Sequence, residues 1–220
     1  MYMPKPNVEN NLRRQGFKLV AGLDEAGRGA WAGPLYAAAV ILPLDDTEVI
    51  QRVWREGVRD GKRITPRRRE SLYENVVKEV AVGCEVGYVT AGEVDGMGLT
   101  AATQLAMARA LEKLAQQPDF LLIDGGYMKI PTVPLPQEGL VRGERQARCI
   151  AAASIAAKVE RDRRMRELDE RYPDYGFAQH KGYGTEAHRR ALKRIGPCPE
   201  HRASFKPIAA LRSREAGSLR

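Results

Sequence analysis

The sequence predicts an α/β fold, a sheet flanked by helices and followed by a small helical C-terminal appendage. Three observations carry this. Two apolar runs near the N-terminus, residues 17–23 and 35–42, are short enough to be buried strands and enclose a Gly-rich turn. From Thr65 onward, helical and strand patterns alternate. Beyond about residue 172 only helical segments remain, and they are strongly basic.

Taken in order, FKLVAGL (17–23) reads as a strand entering the turn 24–33, and LYAAAVIL (35–42) as a second, continuous apolar strand. Thr65-Pro66 supplies an N-cap and an N1 proline to a helix reaching about Val80. Residues 81–90 form a third strand, and the Ala- and Leu-rich stretch 99–115 has helical periodicity. FLLI (120–123) is a short buried strand that stops at Asp124-Gly125. After Pro131, Pro134 and Pro136 comes a strand around Leu140, then a long helix from about Gln146 to Tyr172. Its Ala-Ala-Ala-Ser stretch (151–154) suits close packing on a sheet. Further helices start near Thr185 and near Pro207. The domain division expected is 1–171 for the sheet domain and 172–220 for the helical region, with a disordered tail from Ser213.

The 220 residues suffice for a buried core without disulfides or structural metals. No apolar run approaches the roughly 20 residues that span a bilayer, and the polar, proline-containing start is unlike a secretory signal. Cys84, Cys149 and Cys198 are odd in number and lack CxxC spacing, which points to a reducing cytoplasm and away from a zinc knuckle. His180, His188 and His201 form no familiar zinc spacing. Residues 140–220 hold 19 Lys/Arg against 10 Asp/Glu, whereas the rest holds 17 against 18, so the net charge of +8 sits in the C-terminal third. Such a balance suits either a polyanionic partner or merely basic, solvated helices.

The segment GLDEAGRGAWAG (22–33) is the most informative. A strand rather than a helix follows it, so it is a poor phosphate cradle, and Asp24 and Glu25 would repel a bare phosphate. Carboxylates beside phosphate make sense with divalent cations between them. Consecutive strand residues face opposite ways, so both could reach one centre only at a frayed or bulged strand end. Otherwise they decorate a turn. Asp124, ending an apolar strand before two glycines, either opens a turn or emerges at the sheet edge beside them.

AGLDEAGRG (21–29), LLIDG around Asp124, IAAASIAAKVERDR (150–163), YGFAQHKGYGT (175–185) and HRASF (201–205), in that order, resemble the ribonuclease HII (type 2 ribonuclease H) family over about residues 17–210. The resemblance implies a ribonuclease-H-like mixed sheet. It further implies an endonuclease that cuts the RNA strand of RNA–DNA hybrids. Duplex DNA carrying a single ribonucleotide would be cut 5′ to it, leaving 3′-hydroxyl and 5′-phosphate ends. By the same resemblance, Asp24, Glu25 and Asp124 match three of four catalytic carboxylates. These hold two Mg²⁺ or Mn²⁺ ions, which activate water and stabilise the leaving 3′-oxygen. Gly27, Arg28 and Gly29 match the loop that recognises the ribose 2′-hydroxyl, and Tyr183 the ring that packs on the neighbouring deoxyribose. Outside the family context Tyr183 reads equally as a core or interface aromatic. Lys62, Arg63, Lys181 and basic C-terminal residues are expected to hold phosphates, and the protein to act as a monomer.

Three departures from the family pattern stand out. The fourth carboxylate, an Asp after Lys-Gly, is here Glu144 after Arg142-Gly143, with Asp162 on the following helix as the alternative. Gly61 stands where a phosphate-contacting serine is usual, and Gly98 where an asparagine is common. A glutamate at the fourth position also resembles the sister class, ribonuclease HIII, but that class lacks the Gly-Arg-Gly loop kept here. Two rival functions are a non-catalytic hybrid binder with a decayed site and a Gly-rich nucleotide binder.

Overall fold

The computed structural model describes residues 8–58 and 64–211. Lys62, Arg63, Gly61 and the tail from Ser213 lie outside them. Five strands, β1 (Val20–Ala26), β2 (Leu35–Ile41), β3 (Gly83–Val89), β4 (Phe120–Asp124) and β5 (Gln137–Leu140), form one sheet in the order β3-β2-β1-β4-β5. β1, β2 and β3 are antiparallel neighbours, whereas β4 pairs parallel with β1 and with β5, so the sheet is mixed. Each predicted strand is present, and β1 and β2 are nearly continuous in buried residues because helices cover both their faces.

The helices are α1 (Val8–Arg14), α2 (Thr47–Arg55), α3 (Pro66–Leu72), α4 (Lys78–Val80), α5 (Ala91–Met97), α6 (Leu99–Glu112), α7 (Arg148–Arg171), α8 (Phe177–His180) and α9 (Glu186–Ile195). A last helix, α10, spans 206–211. Thr65 caps α3 as expected, its hydroxyl accepting from Arg68 N, but a π-helical turn (Tyr73–Val77) interrupts the helix before α4.

Four helices were not anticipated, the single turn α8 among them. α5 carries a capping box, Thr90 with Glu93, hidden in the sequence by Gly92 and Gly96. α2 was not singled out at all. α1 is short and polar, and its place is fixed by a distant contact. Its fully buried Glu9 accepts from Cys149 N at 2.8 Å, serving as the cap that Ala147 cannot supply to α7.

α7 lies along β1 and β2 on one face, and α6 covers the other. The approach of α7 is set by Gly22, where an added Cβ would lie 2.1 Å from the backbone carbon of Cys149. On the edge strand β3, the carbonyls of Val86 and Tyr88 accept from Lys113 Nζ (2.7 Å) and Arg109 Nη1 (2.8 Å), which blunts the edge against pairing. The C-terminal segments gather around Phe177 with Met165, Leu168, Leu192 and Ile208, and this cluster includes Ala32 from the β1–β2 loop. Among the described residues no helix is long and apolar enough to cross a membrane.

Candidate carboxylate site at the sheet edge

The parallel pairing of β1 and β4 runs through Leu23↔Ile123, so Asp24 and Asp124 are the next residues on adjacent strands. Asp24 shares its sheet face with α7, and its carboxylate is hydrogen-bonded by Ser154 there and accepts from Glu25 N at 2.7 Å. Only 7% exposed, Asp24 is held well above the usual carboxylate range, first by burial and then by the charges of Glu25 and Asp124. Asp124 Oδ1 accepts from Gly143 N at 2.6 Å, and a Cβ on Gly143 would sit 2.6 Å from the Ile150 side chain. The turn after β5 thus docks directly on Asp124 and carries Glu144 next to it, with 9% of that side chain exposed and Arg145 Nε at 3.6 Å.

One expectation is corrected. Asp24 and Glu25 do not sit in a turn or at a frayed or bulged strand end, because β1 pairs with β2 without interruption from Ala21↔Ile41 to Ala26↔Tyr36. Alternation therefore puts Glu25 on the opposite face from Asp24, level with Ala37, with Arg28 Nη1 at 3.8 Å. Asp162 is held elsewhere. It is 6% exposed and bound by Lys158 Nζ at 2.5 Å and Arg69 Nη1 at 3.4 Å, a buried ion pair that occupies both its oxygens. It also lies two turns beyond Ser154 on α7, about 12 Å along the axis.

Among the described residues, no group of three or more His, Cys or carboxylate side chains is already gathered to hold a metal ion. The donor set nevertheless fits a hard divalent cation. Asp24 and Asp124 offer only oxygen and stand side by side on adjacent strands, and repulsion from Glu25 and Asp124 adds to burial in favouring the protonated form of Asp24. A bound cation would remove that repulsion.

The 27–33 loop is built from below by two arginines, of which sequence reasoning missed Arg161. Arg161 and Arg202 are both 0% exposed. Arg161 donates to the carbonyls of Pro34 (3.0 Å) and Ala32 (3.3 Å), and Arg202 to those of Arg28 (2.9 Å) and Gly33 (3.0 Å). Gly27, at φ +91°, leaves room for Arg161, whose Nε would be 1.9 Å from a Cβ there. Nothing but their place in the matching motifs, AKVERDR and HRASF, could have flagged them. The C-terminal segments close the loop from the side: Trp31 N donates to Gly182 O at 2.8 Å, Gly33 N to Glu200 O at 2.8 Å and Arg202 N to Trp31 O at 2.8 Å. Tyr183 is 37% exposed, with the Arg161 guanidinium 5.4 Å and Lys158 Nζ 6.0 Å from its ring centroid. Lys181, in the left-handed region at φ 53°, donates to Ala178 O at 2.6 Å. The structure therefore brings Asp24, Asp124 and the turn bearing Glu144 together on β1 and β4, and sets Tyr183 over Arg161, the side chain packed under Gly27.

The histidines cluster under this loop, where packing rather than metal spacing places them. Burial, then His180 and His201, pushes His188 down to about 4. The unfolded chain thus binds this proton more tightly, and stability falls as pH drops from about 6.5 to about 4. We expect a loss of up to about 3 kcal/mol across that window, read by urea titrations at pH 7 and pH 4.5. Equal stability at both pH values in a His188→Gln variant, against a fall in the wild type, identifies the group.

A mixed sheet of this order with helices on both faces is a ribonuclease-H-like fold, and the solved structures agree. The chain is similar to the ribonuclease H2 of Pyrococcus horikoshii OT3 (TM-score 0.75, 25% identity, 89% of this chain and 98% of that one). It is also similar to the ribonuclease HII of Archaeoglobus fulgidus, solved as a PCNA complex (TM-score 0.70, 26% identity, 88% and 96%). With Bst-RNase HIII in complex with Mn²⁺ it shares the fold (TM-score 0.65, 18% identity, 89% and 70%). The family model for ribonuclease HII matches residues 21–208. The ribonuclease HII of Dehalococcoides mccartyi strain BAV1 is 49% identical over 94% of this chain and 95% of its own. That of Syntrophotalea carbinolica is 48% identical over 91% of each. The chain belongs to the ribonuclease HII family, metal-dependent endonucleases that cleave RNA in RNA–DNA hybrids.

Proposed function

We propose that this enzyme, besides cutting the RNA strand of hybrids, cuts 5′ to a single ribonucleotide embedded in duplex DNA and leaves 3′-hydroxyl and 5′-phosphate ends. Asp24, Glu25, Asp124 and Glu144 are its catalytic carboxylates and hold two divalent cations, Mg²⁺ or Mn²⁺; Glu25 joins them from the other face of β1, close enough for its charge to act on Asp24. The observation that carries this reading is the buried Asp24 beside the half-buried Asp124 on the adjacent strand, its carboxyl raised by burial, Glu25 and Asp124, with the Gly143 turn that bears Glu144 docked on Asp124. The ions, when bound, supply an activated water and neutralise charge at the leaving oxygen.

The chain's own residues do the rest. Ser154 and the Gly143 N–H orient the two aspartates. With the Arg28 carbonyl tied to Arg202 and the far end of the loop, Ala32 and Pro34, tied to Arg161, residues 27–29 present fixed backbone groups to the ribose 2′-hydroxyl. Tyr183 has cations behind its ring and an exposed side for the next sugar. Lys62, Arg63, Lys181 and the basic C-terminal third hold phosphates. Affinity for duplex is then expected to fall about 10³-fold or more between 50 and 200 mM salt, given six or more phosphate contacts. A flat salt series in a fluorescence-anisotropy titration would remove this part of the reading.

The test is cleavage of a labelled duplex with one ribonucleotide, in Mg²⁺, in Mn²⁺ and in chelator. Wild type and Asp162→Asn are expected to cut in metal only, while Glu144→Gln loses at least about 10²-fold in kcat, roughly 2.7 kcal/mol. Asp162→Asn instead melts lower, because Arg69 and Lys158 lose their counter-charge, at about 1–3 kcal/mol. The reverse pattern would move the fourth carboxylate to α7. Further, residues 1–171 form the catalytic domain and 172–220 a region completing the cleft, docked on the first through the cluster that Phe177 and Leu192 share with Ala32, Met165 and Leu168. The enzyme works as a monomer in the cytoplasm, where its three free cysteines stay reduced.

A further inference from the structure

Three buried histidines take no part in the chemistry above. His180, His188 and His201 are 7%, 0% and 2% exposed. His180 stacks on His188 with ring centroids 4.3 Å apart, and His201 follows at 5.2 Å. Their neighbours dictate where each proton sits. Gly182 N donates to His180 Nδ1 at 3.2 Å, so the proton is on Nε2, which donates to Tyr175 O at 2.7 Å. Tyr183 O, 3.1 Å from His188 Nδ1, can only accept, so Nδ1 carries the proton and Nε2 is bare. That bare nitrogen faces His201 Nε2 at 3.0 Å, which must donate, leaving His201 Nδ1 to accept from Cys198 N at 3.0 Å; Cys198 Sγ and Cys198 O lie 3.2 Å from the same nitrogen, and that carbonyl already accepts from His201 N. One neutral tautomer per ring satisfies the chain of bonds. A proton added to His188 would turn donor against donor.

These bonds end on the two residues that set the backbone of Tyr183. They also reach the 27–33 loop, because Trp31 lies 5.8 Å from the His188 ring and its N–H donates to Gly182 O at 2.8 Å. Gly184 seals the join, since a Cβ there would be 2.2 Å from the Trp31 ring.

We propose that His188 and His201 are positioning residues for sugar recognition: the neutral pair holds Tyr183 at a fixed place relative to the Gly27–Gly29 loop. This rests on the single-ribonucleotide reading above. A ring set beside the sugar following the ribose matters most where that sugar is deoxyribose, and less inside a continuous RNA strand.

The test compares kcat/KM on a duplex with one ribonucleotide and on a long RNA–DNA hybrid for wild type, His201→Leu, His201→Gln, Tyr183→Ala and the Tyr183→Ala/His201→Leu double variant. His201→Leu is expected to lower the single-ribonucleotide to hybrid ratio about tenfold, and to add nothing on top of Tyr183→Ala. His201→Gln, whose amide can donate to His188 Nε2, is expected to restore the ratio. An unchanged ratio, additive losses, or equal losses on both substrates would overturn the assignment while leaving the nuclease reading intact. A wild type that cuts hybrids but not the single ribonucleotide would overturn that reading and this one with it. Should His201→Leu not fold, ¹⁵N chemical shifts of the wild-type imidazoles decide. Protons on His188 Nδ1 and His201 Nε2 are expected, and a proton on His201 Nδ1 would sink the proposal.

Discussion

Asp24→Asn is expected to lower metal-dependent cleavage by about 10³-fold or more, some 4 kcal/mol of transition-state stabilisation, while making the metal-free protein melt higher. Both effects come from one arrangement. Asp24 is buried beside Glu25 and Asp124, and its carboxyl is raised above the usual range chiefly by that burial. The folded chain therefore holds the Asp24 proton more tightly than the unfolded chain does. The stability this gives is complete below the unfolded value near 3.8 and is lost as pH rises through the folded value. An asparagine keeps the shape and the acceptor for Glu25 N without the charge. The gain should thus be clear at pH 8, at about 2–4 °C for each kcal/mol relieved, and should vanish near pH 3.5. Mn²⁺ should raise the melting temperature of the wild type and not that of the variant. A variant that melts lower than wild type at pH 8 without metal would show that the charge is not what strains the site.

The second large effect is on the fold. Gly22→Ala places a methyl 2.1 Å from Cys149 C and 2.3 Å from Ile150 N. These are backbone atoms of α7 and cannot swing aside, so the helix must lift from β1. We expect a loss of about 3 kcal/mol or more, a fall of about 6–12 °C in melting temperature. Cleavage should fall with it, since α7 carries Ser154 to Asp24 and Arg161 to the loop. Gly92→Ala is the control: nothing lies within 4 Å of its Cβ, and inside a helix alanine should be neutral or stabilising by up to about 1 kcal/mol. A Gly22→Ala protein melting within 2 °C of wild type would disprove the close approach as the determinant of this packing.

The contrast between these two positions shows what could be read in advance. Asp24 stands out because a carboxylate after an apolar run is locally odd. Gly22, two residues earlier, looks like one more glycine leading into the turn. Its necessity comes from Cys149, on a helix more than 120 residues away. Similarly Glu144 and Asp162 read alike in the sequence as candidates for a fourth carboxylate, and only the fold shows Gly143 on Asp124 and Arg69 on Asp162. Where sequence reasoning went astray, at the supposed frayed strand end, it lacked the register of β2, which holds β1 regular through Ala26.

The sequence by itself determined the strands, the order of strands and long helices, the acidic and loop motifs and, through them, the family. Such features are set by hydrophobic period and by residues adjacent in the chain. Tertiary structure decided which charges are buried and what holds the loop. Arg161 reaches Pro34 across 127 residues and Arg202 reaches Gly33 across 169. The reason is desolvation. In the sequence these two are ordinary members of a set of 36 lysines and arginines. Only the fold, by taking them out of water, obliges each guanidinium to find the carbonyls that fix the 27–33 loop.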